Sequence, residues 1–224
     1  MKRIYVLLAA LLLLYPYGLS VQAQSMYSYG PRCRDNCRQN EQSLQEAIQR
    51  QLQGQQRQSA HRITAPGLEN AYRVSPLLYR GAQPTEEGYR SLKAMGVKAV
   101  VNLRVSPPNK QFIESLGIRS YHIPINPLLF RTQHAKQFLQ IIQDTSDGPV
   151  FVHCKYGSDR TGTMVALYRM VFEHWTREAA LREMQNERFG FHPVFANLVE
   201  FVKTAPLYDI TPQEILGNTV LEMI

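Results

Sequence analysis

From about Glu69 to Tyr208 the chain alternates short apolar runs with amphipathic stretches. Leu77-Leu78-Tyr79-Arg80 predicts a strand, and Gly81-Ala82-Gln83-Pro84 its closing turn. Thr85 then stands as a helix N-cap, with Glu86 and Glu87 in a first turn where carboxylates meet the positive end of the helix dipole. That helix directs Tyr89, Leu92 and Met95 inward and stops at Gly96, a usual C-terminal residue. Val97 to Leu103 is a near-continuous β-branched run, the mark of a buried parallel strand. Further on, 112–116 predicts a helix and 121–124 a strand. Gln133 to Asp144 predicts a helix with Phe138, Ile141 and Ile142 on one face, and Pro149 to His153 another buried strand. A last helix, from about Thr161 to His174, offers Val165, Leu167, Tyr168 and Val171 for packing. This order predicts an α/β fold in three layers, a mostly parallel sheet of about four or five strands flanked by helices. Ligands of such sheets bind beyond the carboxyl ends of strands.

The first 23 residues have a different texture. Lys2 and Arg3 precede an apolar run from Ile4 to Leu14, followed by Pro16, Gly18 and the small-residue site Val21-Gln22-Ala23. This is the layout of a secretory signal peptide, with cleavage expected after Ala23. The run is too short for a bilayer span, which needs roughly 20 apolar residues, and no second one follows. The expected product is therefore exported, periplasmic or secreted, with no stable membrane anchor. Residues 24–68 are expected to form a Gln- and Arg-rich appendage, helical or disordered, with only a thin stripe of Leu44, Ile48 and Leu52. Residues 69–208 are expected to form the catalytic domain and 209–224 a tail or short helix.

Composition narrows the classes. Of 224 residues, 44% are hydrophobic and 19% charged, which fits a globular domain and excludes a fibrous or multi-span membrane protein. The formal charge of +7 includes Lys2 and Arg3, which leave with the leader. The remaining basic residues are scattered, without a block of like charge or an aromatic-rich basic stripe, so nucleic acid is not an expected partner. A diffuse positive balance suits an anionic substrate. The three cysteines are Cys33, Cys37 and Cys154. An exported chain meets an oxidising compartment. Cys33 and Cys37 can pair if a turn or distorted helix brings them together; an intermolecular bond is the alternative. Cys154 is then a free thiol. With Cys33, Cys37 and His61 loosely spaced and lacking a fourth ligand, no metal site is expected.

The chemistry concentrates in residues 153–162, His-Cys-Lys-Tyr-Gly-Ser-Asp-Arg-Thr-Gly. A buried strand ends at His153 and a helix begins a few residues later. A short loop in that position turns N–H groups inward as an anion nest, and the helix start adds partial positive charge. Gly157 allows a positive φ and close approach of the backbone to a ligand. Arg160 supplies a planar fork matching two phosphate oxygens. A tetrahedral oxyanion fits there with its phosphorus facing Cys154. The same positive field favours a thiolate, and the Thr161 hydroxyl can donate to that sulfur. The loop thus both binds phosphate and activates a nucleophile, so that phosphoryl transfer to sulfur and hydrolysis of the thiophosphate follow. Lys155, Tyr156, Gly157, Ser158, Gly162 and His153 complete the candidate substrate-binding set, with His153 orienting the loop by hydrogen bonds. No cofactor is required, because Arg160 and the nest neutralise charge.

His153-Cys154-x-x-Gly157-x-x-Arg160-Thr161-Gly162 resembles the loop of cysteine-dependent protein tyrosine and dual-specificity phosphatases. Six fixed residues in ten positions, between a strand and a helix, make the likeness specific. The stretches Tyr79–Pro84, Val100–Arg104, Tyr168-Arg169, Glu183-Met184 and Phe189–His192 are similar to a small, exported, bacterial dual-specificity-like subgroup. The likeness covers Glu69 to Tyr208 and implies a phosphomonoesterase working through phosphocysteine. Its expected substrates are phosphoproteins, with inositol polyphosphates or phosphoinositides as the alternative. Lys155, a cation beside the nucleophile, occurs in some inositide-directed relatives. A non-catalytic phosphate-binding module is the rival of another class, and it would lack Cys154 or Arg160. Arsenate reductases of the small type place their cysteine loop after the first strand, unlike this chain.

Such phosphatases usually take a proton-donating Asp from a loop some thirty residues before the cysteine. Here no Asp lies between Arg104 and Gln143, Glu114 falls in a predicted helix, and Asp144 and Asp147 precede the strand at its far end. Asp159 is the remaining carboxylate, either as the acid or as a group that orients Arg160. His192 and His122 are further candidates. Leu128, Leu129, Phe130 and Arg131 are expected to edge the mouth.

Overall fold

The computed structural model describes residues 59–212. The leader, Cys33, Cys37, the Gln-rich stretch up to residue 58 and residues 213–224 lie outside the described residues.

Among the described residues, six strands form one sheet in the order β1-β2-β3-β6-β4-β5. They are β1 (His61–Arg62), β2 (Tyr72–Arg73), β3 (Leu78–Gly81), β4 (Ala99–Asn102), β5 (Arg119–His122) and β6 (Val150–His153). β3, β6, β4 and β5 run parallel, whereas β1 and β2 add an antiparallel edge against β3. The expected strand count of four or five is thus corrected to six. Two-residue β1 and β2 carry too little pattern for a period to show. Their place is fixed by pairing, His61 with Arg73 and Tyr72 with Arg80. Residues 61–62, assigned by sequence to the appendage, therefore belong to the sheet.

The helices are α1 (Glu86–Ala94), α2 (Lys110–Ser115), α3 (Thr132–Asp144), α4 (Asp159–Phe172), α5 (Arg177–Met184), α6 (Ala196–Thr204) and α7 (Leu207–Ile210). The Thr85 side chain caps α1 by accepting from the Gly88 N–H, and Gly96 follows the helix at φ +80°. Met95 is half-buried and packs against the core on the α1 side of the sheet.

Strand alternation divides the core into two layers. Ala99, Val101, Val150 and Val152 pack on one face with Phe138 and Leu139 of α3 and Met164 and Leu167 of α4. Tyr79, Val100 and Phe151 pack on the other with Tyr89 and Leu92 of α1, Ile113 and Ile118. The sheet is thereby sandwiched, and its β6 register against β3 and β4 brings His153 level with Gly81 and Asn102. α4 is buried almost all round, from Thr161 to Val171. That fits a central helix covered by its neighbours rather than a surface helix with one apolar stripe. It starts at the carboxyl end of β6, so the 154–158 connection sits at the edge where the central strands stop.

Candidate active site

Cys154, a free cysteine only 2% exposed, opens the connection directly after β6. Gly157 adopts φ +73°, and a Cβ there would lie 2.4 Å from the Gly81 carbonyl carbon and 2.6 Å from the Ala82 nitrogen. Gly81 in turn has no room for a side chain, since a Cβ would fall 2.7 Å from the Phe151 ring. These two glycines let the loop nest on the turn that ends β3. The loop is further tied down by Gln83, whose N–H donates to the Lys155 carbonyl at 3.2 Å. Ser158 occupies the N-cap of α4 without capping it; its hydroxyl donates to the Tyr156 carbonyl at 3.4 Å instead. The N–H groups of the first turn of α4 have no intrahelical acceptors and remain available to an anion.

Arg160 leaves the first turn of α4 and reaches across the sheet edge. Its Nη1 donates to the carbonyls of Leu103 at 3.3 Å and Ile125 at 3.0 Å. Nε and Nη2 have no protein partner among the described residues, so one edge of the guanidinium is anchored and another is free. His153 is fully buried, and its Nδ1–H donates to the Cys154 carbonyl at 3.1 Å. Burial lowers its pKa to about 4; the hydrogen bond to Cys154 opposes the shift, and the charges of Arg104 and Arg160 add to it. A neutral ring bonded to the loop backbone is the consequence. The Thr161 hydroxyl is buried with no hydrogen-bond partner among the described residues, so the expected bond to the Cys154 sulfur is not formed here.

Asp159 does not orient Arg160. Its side chain, 8% exposed, faces His192 instead. The His192 N–H donates to Oδ1 at 2.8 Å, and Nδ1 lies 3.0 Å from both carboxylate oxygens. This pairing follows from the fold. The 189–192 segment is laid against the loop by Asn70, whose Nδ2 donates to both the Tyr156 and Phe189 carbonyls, at 2.8 and 3.1 Å. Glu114 is in α2, and Asp147 pairs with Arg119. His122 bonds through Nε2 to the Arg104 carbonyl.

Lys155 and Tyr156 form the exposed rim, with the ammonium 4.8 Å from the ring centroid. Gly162 and Ser158 are buried. Leu128 and Leu129 are exposed, whereas Phe130 packs edge-on against His134 and Phe201.

Two contributors escaped sequence reasoning. Arg80 is wholly buried beneath the loop. Its Nη2 donates to the Gly157 carbonyl at 2.7 Å, and its guanidinium stacks on Phe189 at 4.2 Å. Nε and Nη1 have no hydrogen-bond partner among the described residues. Burial pulls its pKa down to about 10, partly offset by the electrostatic influence of Glu183 and Cys154. The Tyr79–Pro84 stretch drew notice in the sequence, but an arginine in a strand gives no sign of which way it points. Asn70 stands at φ +45°, a conformation asparagine tolerates, and nothing in one sequence marks it.

Comparison with known proteins places this arrangement. Dual specificity protein phosphatase TpbA of Pseudomonas aeruginosa is 34% identical over 122 residues, covering 54% of this chain and 56% of that protein. Inositol diphosphatase DSP3 of Arabidopsis thaliana is 28% identical over 116 residues, covering 48% and 57%. The chain thus spans little more than half the length of these curated relatives. The crystal structure of P. aeruginosa TpbA in complex with phosphotyrosine superposes with a TM-score of 0.60 at 29% identity, covering 68% of this chain and 93% of that one. The catalytic core of the Saccharomyces cerevisiae phosphatase Siw14 shares the fold, with a TM-score of 0.60 at 21% identity, covering 70% and 96%. The family model described as "DSP-PTPase phosphatase fused to NAD+ Kinase" matches residues 58–197, more than half of the chain, and the chain belongs to that phosphatase family.

Proposed function

We propose that this chain is an exported, cysteine-dependent phosphatase that hydrolyses phosphomonoesters of the phosphotyrosine or dual-specificity type through a phosphocysteine intermediate. One observation carries the reading. A buried, unpaired cysteine stands at the start of a loop whose helix N–H groups are uncapped, and an arginine fork is held there with one edge free. Bound phosphate oxygens meet the loop N–H groups and Arg160, while the Cys154 sulfur attacks phosphorus and the ester P–O bond breaks. Water then attacks the phosphocysteine, the S–P bond breaks, and orthophosphate leaves with the thiolate restored. Arg80 and His153 hold the loop from below, and Gly157 permits its curvature. Charge that develops on the equatorial oxygens is met by groups already in place, the main source of catalysis in such sites.

Replacing Cys154 by Ser is expected to lower turnover of p-nitrophenyl phosphate by at least about 10³-fold while vanadate still binds. Persistent turnover in that variant defeats the reading. A wild-type protein that binds vanadate and turns over no phosphoester favours a binding module.

A second reading, phosphatase action on inositol polyphosphates or phosphoinositides, is supported by the exposed Lys155 beside the nucleophile and by the likeness to the Arabidopsis inositol diphosphatase. Rates of phosphate release from phosphotyrosine peptides, soluble inositol phosphates and lipid phosphates decide between them. Export rests on Lys2-Arg3, the apolar run and Val21-Gln22-Ala23. A mature N-terminus at Gln24 is the expected outcome of N-terminal sequencing after expression in a Gram-negative host, and an intact Met1 in the cytoplasmic fraction counts against it.

A further inference from the structure

We infer that His192 is the proton donor to the leaving group, with Asp159 as the carboxylate that holds it, so that the two work as a dyad. This inference rests on the phosphatase reading of Cys154 and Arg160.

The chain lacks an acid where one is needed. No Asp lies between Arg104 and Gln143. Asp159 is the carboxylate of the loop, yet its side chain is 8% exposed and both oxygens face His192. The backbone N–H of His192 must donate, so Oδ1 acts as an acceptor. Nδ1, 3.0 Å from each oxygen, suits a second donor shared between two lone-pair sites. With Nδ1–H committed to Asp159, the opposite ring nitrogen, Nε2, is set free of any protein partner among the described residues. The ring is 50% exposed and stands at the rim of the loop, its centroid 6.0 Å from that of Tyr156. The groups facing it are the Asp159 carboxylate from α4, the Tyr156 ring with the Lys155 ammonium above it, and the apolar Phe195 ring at 6.4 Å. A buried carboxylate orienting the imidazole by Nδ1, with Nε2 left without a protein partner, is the arrangement by which histidine exchanges protons at a reacting centre.

The step balances. As the Cys154 sulfur bonds to phosphorus and the ester P–O bond breaks, Nε2–H of the imidazolium passes its proton to the departing oxygen, leaving a neutral ring. In the second step water attacks phosphorus and gives its proton back to Nε2, the S–P bond breaks, and orthophosphate is released. Asp159 keeps its charge throughout and stabilises the imidazolium.

The test compares two esters, p-nitrophenyl phosphate, whose leaving group needs no proton, and phenyl phosphate, whose leaving group does. His192→Asn keeps an N–H donor where Nδ1 stood and removes Nε2. The expected result is a loss of about 10²-fold in kcat/KM for phenyl phosphate, with less than about 5-fold for p-nitrophenyl phosphate. The basic limb of the phenyl phosphate pH profile should also disappear. Equal rates to wild type on both esters, or equal slowing of both, overturn the inference. So does Asp159→Asn reproducing the selective loss while His192→Asn behaves as wild type, since Asp159 is then itself the acid. Vanadate shielding of Cys154 from iodoacetamide checks that the variant loop is intact. Should His192→Asn not fold, the wild-type basic limb decides. Warming moves the titration of a nitrogen acid to lower pH and leaves that of a carboxylic acid nearly still, so an unmoved limb overturns the inference. Absence of any Cys154-dependent turnover of p-nitrophenyl phosphate in wild type defeats the phosphatase reading instead.

Discussion

Single residues here do work that depends on being buried. His153 is neutral because charging it beneath the loop costs solvation, and its folded pKa lies near 4 against an ordinary value of about 6.5. The sign follows directly. Below about pH 6.5 the unfolded chain takes up a proton that the native state refuses, so stability is full above that pH and is lost as pH falls towards 4. The loss amounts to about 3 kcal/mol once both states are titrated. Urea midpoints measured between pH 7 and pH 4 should show it, and His153→Gln should flatten that part of the curve. Gly157 is a second such case. A Cβ there meets Gly81 and Ala82 backbone atoms at 2.4–2.6 Å, and the positive φ adds strain. Gly157→Ala is expected to lower kcat/KM by at least about 10²-fold, because the loop donors miss the phosphate by an ångström or so. Phosphate or vanadate affinity, measured alongside, should fall with it.

At the level of elements, a buried ion pair joins the start of the described chain to the helices behind the site. Arg169 of α4 donates from Nε and Nη2 to both oxygens of Glu183 in α5, at 2.8 and 2.9 Å. Glu183 Oε1 also accepts from the Ala60 N–H at 2.9 Å and the Ser59 hydroxyl at 3.1 Å. Arg169 also pairs with Glu173, so loss of Glu183 leaves the cation a counter-ion but removes its two-pronged bond to α5 and the buried acceptor of Ala60 and Ser59. Glu183→Ala is therefore expected to destabilise the fold by about 2 kcal/mol or more through the lost charge-assisted hydrogen bonds, read from urea unfolding, and to open the chain near Ala60 to protease. The Arg80 layer is different in kind, because it joins a strand to the underside of the reactive loop. Arg80→Met should leave the fold more intact than Glu183→Ala while slowing alkylation of Cys154 at neutral pH, since a positive charge near the sulfur is lost. Unchanged alkylation would mean that Arg80 acts only as a prop.

For the whole molecule, the sheet order puts the antiparallel β1–β2 edge beside β3, the strand on which the reactive loop rests. A chain beginning at Glu69, the boundary drawn from sequence, lacks β1, the Glu183 contacts to residues 59 and 60, and the Ile63 N–H bond to the Ala71 carbonyl. A chain beginning at residue 58 retains all of them. The longer form is expected to unfold cooperatively and to bind vanadate. The shorter form is expected to lose several kcal/mol and to expose a strand edge that promotes aggregation; equal urea midpoints for the two would show that β1 contributes nothing.

The sequence by itself determined the parts whose information is local. β-branched runs marked β4 and β6, Thr85 and Gly96 bounded α1, and the spacing of Cys154, Gly157, Arg160 and Gly162 specified the loop, because period, capping and motif all act over a few residues. Tertiary structure decided what depends on distant chain segments meeting. Two-residue strands exist only through their partners, so β1 and β2 were invisible in the pattern. Asp159 stands next to Arg160 in the chain, yet its carboxylate turns to His192, 33 positions away. Neighbours on a helix point in different directions, and the packing of the 189–192 segment chose which one met the carboxylate. Arg80 read as an ordinary strand residue, and only the stacking of the loop on Gly81 showed it to be a buried cation under the Cys154 loop.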